Sequence, residues 1–270
     1  MASVFNNLFH TIFLYIASSI FSFLKMFVLF LIFTMIIATI TLIERKILAL
    51  LQRRVGPNYI GYKGRLQFIA DAFKMLLKHI AIIKKVNKPL FIVVPAMVFI
   101  TSYLFWANIV WGPNLAICEI EYNVLFLCIS SSSISYLLAA AGLISNSKYA
   151  TLSAWRILAM GLVIELLLTF LLLLLSIISS SLSFMQLGSF QFALKWNIFI
   201  LFPCIPLLIV TFFLETARIP FDLPESESEL VAGHTTEFGG FYFALFYLAE
   251  YFHLFCFSLS FVLILLGPWN

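Results

Sequence analysis

Charge is what this chain has least of. Only 10% of its 270 residues are Asp, Glu, Lys or Arg, against about 25% in soluble domains. Cysteine is sparse too. Cys118, Cys128, Cys204 and Cys256 all lie in or beside apolar runs, form no C-x-x-C pair and have no histidine at metal spacing. They read as small fillers of helix interfaces, which excludes an iron–sulfur cluster, a haem attachment or a disulfide framework. With 11 Gly in all, the chain has no Gly-rich dinucleotide or phosphate loop, no G-x-S-x-G elbow and no H-E-x-x-H pair. The four histidines, at 10, 79, 234 and 253, are scattered. No metal and no redox cofactor of its own is therefore expected. Residues 1–24 lack a basic n-region or an Arg/Ser-rich pattern, so no cleavable targeting peptide is expected either.

Apolar residues are what is there: 63% of the chain, with a mean hydropathy of +1.08. That much apolar surface cannot be hidden from water, so the solvent is lipid and the expected fold is an all-α polytopic membrane protein. Spans of about 20 residues are predicted at Lys25–Ile43, Leu90–Val110, Tyr122–Ile144, Ile157–Ile178, Ile198–Leu214 and Phe238–Leu266. Residues 4–24, diluted by Asn6, Asn7, His10 and several serines, form either a seventh span or an interfacial helix. There is no internal repeat of the transporter kind, and residues 1–270 read as a single transmembrane domain. The 31 Phe suggest an A/T-rich genome of the organellar type.

With Lys25–Ile43 as the first span, segments 44–89, 145–156 and 215–237 fall on one side and hold 14 of the 16 Lys and Arg, Lys25 and Lys195 being the exceptions. This is a positive-inside pattern. Segment 44–89 is basic, with Glu44 and Asp71 its only acids, while 215–237 carries Glu215, Asp222, Glu225, Glu227, Glu229 and Glu237 against Arg218. Opposite charges beside one bundle attract each other and suit a soluble partner. Gly64–Ile80 has the spacing of an amphipathic helix, either walling the mouth of an apolar cavity or anchoring a loop on lipid headgroups. Anionic headgroups explain the basic side chains better than nucleic acid does.

Two carboxylates stand inside predicted spans. Glu165 lies nine residues beyond Arg156, and Glu250 has His253 at i+3. A carboxylate at membrane depth must be neutral, paired or beside water. Proton handling is the favoured reading, and a static pair such as Arg156–Glu165 is the alternative. In 215–233 the carboxylates alternate with Ile219, Phe221, Leu223 and Leu230, a pattern that couples titrations. Pro220 and Pro224 keep this run from being one helix, and Ser226 with Glu229 fits a capping box for a short helix ending near Gly233.

The motifs E44-R-K-I, R54-V-G-P-N, Q67-F-I-A-D-A-F-K, S145-N-S-K-Y-A, E215-T-A-R-I-P-F-D-L-P-E-S-E-S-E-L-V and F243-A-L-F-Y-L-A-E-Y closely resemble the family of NADH–ubiquinone oxidoreductase chain 1, the quinone-site membrane subunit of respiratory complex I. The resemblance implies a multi-pass protein of the mitochondrial inner membrane, organelle-encoded, with its basic and acidic segments on the matrix side. Ubiquinone would be the substrate. FMN and iron–sulfur clusters would sit in partner subunits, and other membrane-arm and peripheral-arm subunits would surround the chain. Arg54, Asp71, Arg218, Asp222, Glu225, Glu227 and Glu229 would line the quinone chamber and its coupling loop. Glu215, Glu250, Glu165 and Glu237 would continue a proton path. Glu44, Arg45 and Arg156 would make structural ion pairs.

Departures from the family pattern are Ala217 where Asn is usual, Pro224 and Ser226 in place of a small or polar pair, and Val163-Ile164 ahead of Glu165. About twenty additional residues precede Glu44. The family normally continues beyond this point with two further helices, which a separately encoded chain is expected to supply. A stand-alone proton-coupled transporter and a structural membrane anchor are the competing readings.

Overall fold

No Pro or Gly interrupts residues 2–51, and they form one helix, α1 (Ala2–Leu51). A computed structural model describes residues 2–80, 86–110, 120–193, 197–224 and 230–267. They are helical, without a strand among them, and divide into two compact units, Met1–Ala70 and Asp71–Asn270.

In the first unit, residues 4–24 are neither a separate span nor a separate interfacial helix but the first turns of α1. The expected end at Ile43 is also passed, because Glu44-Arg45-Lys46 and the leucines after it are good helix formers. Three threonines of α1 return their hydroxyls to its own backbone, Thr34 to Leu31 O, Thr39 to Ile36 O and Thr41 to Ala38 O, as polar groups facing lipid must. The helix stops at a left-handed Arg53 (φ 54). The Arg53 N–H donates to Leu50 O and the Arg54 N–H to Ala49 O, a Schellman motif. The chain then folds back: Lys46 Nζ donates to Lys63 O at 2.7 Å. Gly64 has φ +73, and a Cβ there would lie 2.1 Å from Pro57 O.

The amphipathic helix α2 (Gln67–Leu77) is shorter than Gly64–Ile80, since the left-handed Gly64 closes a 3-10 turn over Tyr62–Gly64. Its apolar face, including Ile69, Phe73, Leu76 and Leu77, is exposed, as befits a helix lying on lipid.

The second unit is built from α3 (Lys88–Leu104), α4 (Asn123–Ile144), α5 (Lys148–Ser179), α6 (Phe184–Ala193), α7 (Asn197–Ile200), α8 (Ile205–Glu215) and α9 (Phe241–Leu266). Among the described residues, four helices are long and apolar enough to cross a membrane: residues 27–51 of α1, α4, α5 and α9. Lys88–Leu104 and Phe202–Glu215 are shorter apolar helices.

Three spans of this unit differ from those read in the sequence, the first being Leu90–Val110, whose α-helix runs Lys88–Leu104 and passes into a 3-10 turn at Phe105–Asn108. Helix α5 begins at Lys148, nine residues before Ile157, with the Ser147 hydroxyl accepting from the Ala150 N–H at 3.4 Å. Segment 145–156 is therefore a tight turn and the first turns of a helix, and Arg156 rides on that helix. The expected span Ile198–Leu214 is split into α7, a 3-10 turn at Phe202–Cys204, and α8, because Pro203 and Pro206 lack the N–H that would continue it. Helix α6 precedes them.

Aromatic rings join α3 and the 3-10 turn after it to α9 and the residues just before it. Phe91 stacks on Phe238 at 4.2 Å, and Phe99, Tyr103 and Trp106 meet Phe252 edge-on. Helices α4 and α5 approach closely at Gly142, where a Cβ would stand 2.7 Å from Ala150 O and 2.9 Å from Ala154 Cβ. Asn108 and Asn123 are both buried. The Asn108 amide donates to Asn123 O at 2.9 Å and the Asn123 amide to Asn108 O at 3.1 Å. Gln191 and Asn197 both donate to Ile264 O.

Candidate functional site in the α8–α9 connection

Helix α8 ends on Glu215, one residue before its C-cap. The stop is again a Schellman motif, with left-handed Ala217 (φ 46) donating to Leu214 O and the Arg218 N–H donating to Phe213 O. The motif aims Arg218 back over α9, its guanidinium 5.0 Å from the centre of the Tyr251 ring. The Tyr247 hydroxyl donates to that of Tyr251 at 3.3 Å.

Beyond Arg218 the connection is clamped to α5. Ser153 Oγ donates to Pro224 O at 2.7 Å, and Arg156 Nη1 reaches Leu223 O at 3.4 Å. Gly233 (φ +55) fits beneath the clamp; a Cβ there would lie 2.2 Å from Pro224 O and 2.9 Å from Ser153 Oγ. Leu230, Gly233, His234 and Thr235 are buried. Glu225, Glu227, Glu229 and the Ser226–Glu229 capping box lie outside the described residues.

Two of the scattered histidines meet carboxylates. His253 Nε2 stands 3.3 Å from Glu215 Oε1, with side-chain exposures of 7% and 9%. His234 Nε2 stands 3.8 Å from Glu250 Oε1, with 2% and 33%. His253 is therefore the partner of Glu215 rather than of Glu250, its neighbour at i+3. His234 lies in the connection, outside the membrane-crossing helices. Burial outweighs the nearby carboxylate and lowers its pKa to about 4, so the resting ring is neutral. Neither ring nitrogen of His234, nor Nε2 of His253, has a hydrogen bond of good geometry.

Glu165 sits apart, between α5 and α4. Ser135 Oγ donates to its Oε1 at 3.4 Å and the Tyr136 hydroxyl to its Oε2 at 3.3 Å. Gly161 makes room, for a Cβ there would be 3.1 Å from Ser135 Oγ. The alternative of a static Arg156–Glu165 pair is overturned: nine residues on one helix put the two about 13 Å apart along the axis, and Arg156 turns to the α8–α9 connection instead.

Asp222 is half-buried in the connection, as is Glu237 just before α9. Asp71 is half-buried on α2. Arg54, the exposed Arg45 and the half-buried Glu44 belong to the first unit. Among the described residues no three of His, Cys, Asp and Glu converge as a metal-binding group.

The sequence profile described as NADH dehydrogenase matches residues 24–270. The chain belongs to the NADH dehydrogenase family. It is 44% identical over 243 residues to NADH-ubiquinone oxidoreductase chain 1 of Paramecium tetraurelia, covering 90% of this chain and 93% of that protein. The corresponding NADH-quinone oxidoreductase subunit of the bacterium Polaromonas naphthalenivorans is 40% identical over 243 residues, or 86% of this chain and 68% of the bacterial one. NADH-ubiquinone oxidoreductase chain 1 of Yarrowia lipolytica is 42% identical over 219 residues, or 80% and 63%.

In this NADH dehydrogenase family member, sequence reasoning found the rare carboxylates and missed their partners. His234, Ser135, Tyr136 and Ser153 carry no local motif. The one available signal was that a buried carboxylate needs a donor, and that signal does not say which residue supplies it.

Proposed function

We propose that this chain is the quinone-site membrane subunit of a respiratory NADH:ubiquinone reductase of the complex I type, multi-pass in the mitochondrial inner membrane with its basic and acidic segments facing the matrix. It forms much of the chamber that admits ubiquinone, and it links quinone reduction to proton translocation through buried carboxylates. The observation that carries this reading is the pairing of Glu215 and Glu250 with imidazoles inside an apolar, aromatic bundle. The names of the relatives, which are NADH-ubiquinone and NADH-quinone oxidoreductase chains, support it.

Reducing a quinone to a quinol takes two electrons and two protons. The electrons come from an iron–sulfur cluster in a partner protein, itself fed through FMN. This chain supplies the apolar wall, the positioning charges and the titratable groups. Arg54, Asp71, Arg218, Asp222, Glu225, Glu227 and Glu229 serve the chamber and coupling loop. Glu215, Glu250, Glu165 and Glu237 serve the proton path, while Glu44, Arg45 and Arg156 hold structure. The Ser153 and Arg156 contacts support a coupling loop whose approach from Leu223–Pro224 is fixed to α5.

The test is substitution in the assembled complex. Glu227→Gln or Glu229→Gln should lower NADH-driven ubiquinone reduction while NADH oxidation by a hydrophilic artificial acceptor persists. A structural anchor would lose only assembly, and a stand-alone transporter would move protons without NADH. Co-migration with flavin and iron–sulfur proteins on a native gel tests the partners in the same preparation.

A further inference from the structure

We propose that His234 and His253 are proton-transfer residues, so that His234, Glu250, His253 and Glu215 form one alternating chain of imidazoles and carboxylates from the buried turn at 233–235, across α9, to the end of α8. This inference rests on the proposed function and adds to it the bases between the acids.

The order comes from two nitrogen–oxygen distances and one helical spacing. His234 faces Glu250 at 3.8 Å, and His253 faces Glu215 at 3.3 Å. Glu250 and His253 are i,i+3 on α9, which puts them on the same face one turn apart, about 5–6 Å between Cβ atoms. No two carboxylates are adjacent in the series. Each acid has a base beside it that accepts its proton.

The surroundings suit transfer and do not suit a purely structural role. A structural buried histidine is ordinarily hydrogen-bonded at its ring nitrogens. Here both nitrogens of His234 and Nε2 of His253 lack a hydrogen bond of good geometry, while a carboxylate oxygen stands 3.8 Å from the Nε2 of His234 and 3.3 Å from that of His253. Separations of this kind in a resting site close in the working complex. Rings wall the groups in, with Phe105 and Phe257 about His253 and Phe246 about His234. The two rings and Glu215 are shut from solvent, while Glu250 is one-third exposed.

Each step balances. A carboxylic acid gives its proton to the neutral Nε2 of its partner, leaving a carboxylate and an imidazolium; return of the proton restores the neutral pair. The net charge of the pair is unchanged throughout, and this is what a low-dielectric interior tolerates best. An imidazolium can also release the proton from its other nitrogen, which gives the chain a direction that carboxylates alone lack. Because burial keeps His234 neutral at rest, a base is ready when Glu250 carries the proton.

The experiment uses the assembled complex in sealed vesicles, with four variants: H234Q, H253Q, E215Q and E250Q. Glutamine keeps a hydrogen-bonding amide but does not titrate. NADH oxidation by hexacyanoferrate reports intact electron entry, and a native gel reports assembly. The decisive readouts are protons moved per NADH and the solvent deuterium isotope effect on NADH:ubiquinone turnover.

With assembly intact, H253Q and H234Q are expected to slow ubiquinone-linked turnover at least about tenfold, to lower protons per NADH and to change the isotope effect. If both histidine variants keep parental values while E215Q or E250Q loses turnover, the imidazoles are structural and the proposal falls. If E215Q and E250Q are also unaffected, the proposed function itself is wrong. Should the glutamine variants of the histidines fail to assemble, H234N and H253N take their place, and failure of those too would assign the histidines to structure.

Discussion

Gly233 and Gly239 stand six residues apart in one connection, and the same substitution should affect them oppositely. An alanine Cβ at 233 would meet the Pro224 carbonyl at 2.2 Å in a left-handed backbone, whereas at 239 it would meet nothing within 4 Å. Gly233→Ala should therefore cost about 2–4 kcal/mol and loosen the clamp on Ser153, while Gly239→Ala should stay within about 0.5 kcal/mol. Thermal unfolding of the two variants in the complex checks both. His234 allows a pH prediction. Its ordinary value is 6.5 and its folded value about 4, so between those values the unfolded chain binds the extra proton. Stability should fall as pH drops from 6.5 to 4, by about 3 kcal/mol in all, and level off below. Unfolding midpoints across that range measure it, and His234→Gln should flatten the slope.

At the scale of the element, left-handed Ala217 ends α8 where glycine would meet no steric penalty. Ala217→Gly should stabilise the cap by about 0.5–1 kcal/mol without moving Arg218 from Tyr251. A chemical denaturation series on the two proteins is sufficient. The same scale shows what was legible in the sequence. Apolar length located α4 and α9 almost to the residue. It misjudged α5, because Arg156 and Lys148 looked like loop charges although Ser147 could already cap a helix there. It also ran Ile198–Leu214 together, though Pro203 and Pro206 stood in the text as chain breaks. Glu165 and Glu250 were legible because a charge in an apolar run is costly wherever it lies, and Glu215 because it opens the acidic segment 215–237. Their partners were not, since the pairing of residue 234 with 250 and of 215 with 253 is made by packing and leaves no spacing to read.

For the molecule as a whole, lipid and neighbouring chains must do what the fold alone does not. Only 11% of the apolar window of α1 and 28% of that of α5 are covered by the chain itself. Extracted alone in detergent, the protein should aggregate or run as a broad band, and it should sharpen when lipid or co-extracted partner proteins are retained; native electrophoresis in both conditions decides. Glu165 and Arg156, placed apart on α5, should act independently. The effects of Glu165→Gln and Arg156→Gln on turnover should add within about 0.5 kcal/mol, as a double-mutant cycle will show.

The reciprocal amides of Asn108 and Asn123 have a practical consequence for anyone wishing to isolate this assembly. They knot the chain at the root of the α3–α4 connection, so the two helix ends hold together however much polypeptide runs between them. Doubling a closed loop costs only about 0.6 kcal/mol. An affinity handle or fluorescent reporter inserted between residues 109 and 122 should therefore be carried with the two helix ends still joined, whereas the same insertion beside Pro224 would break its contact with Ser153.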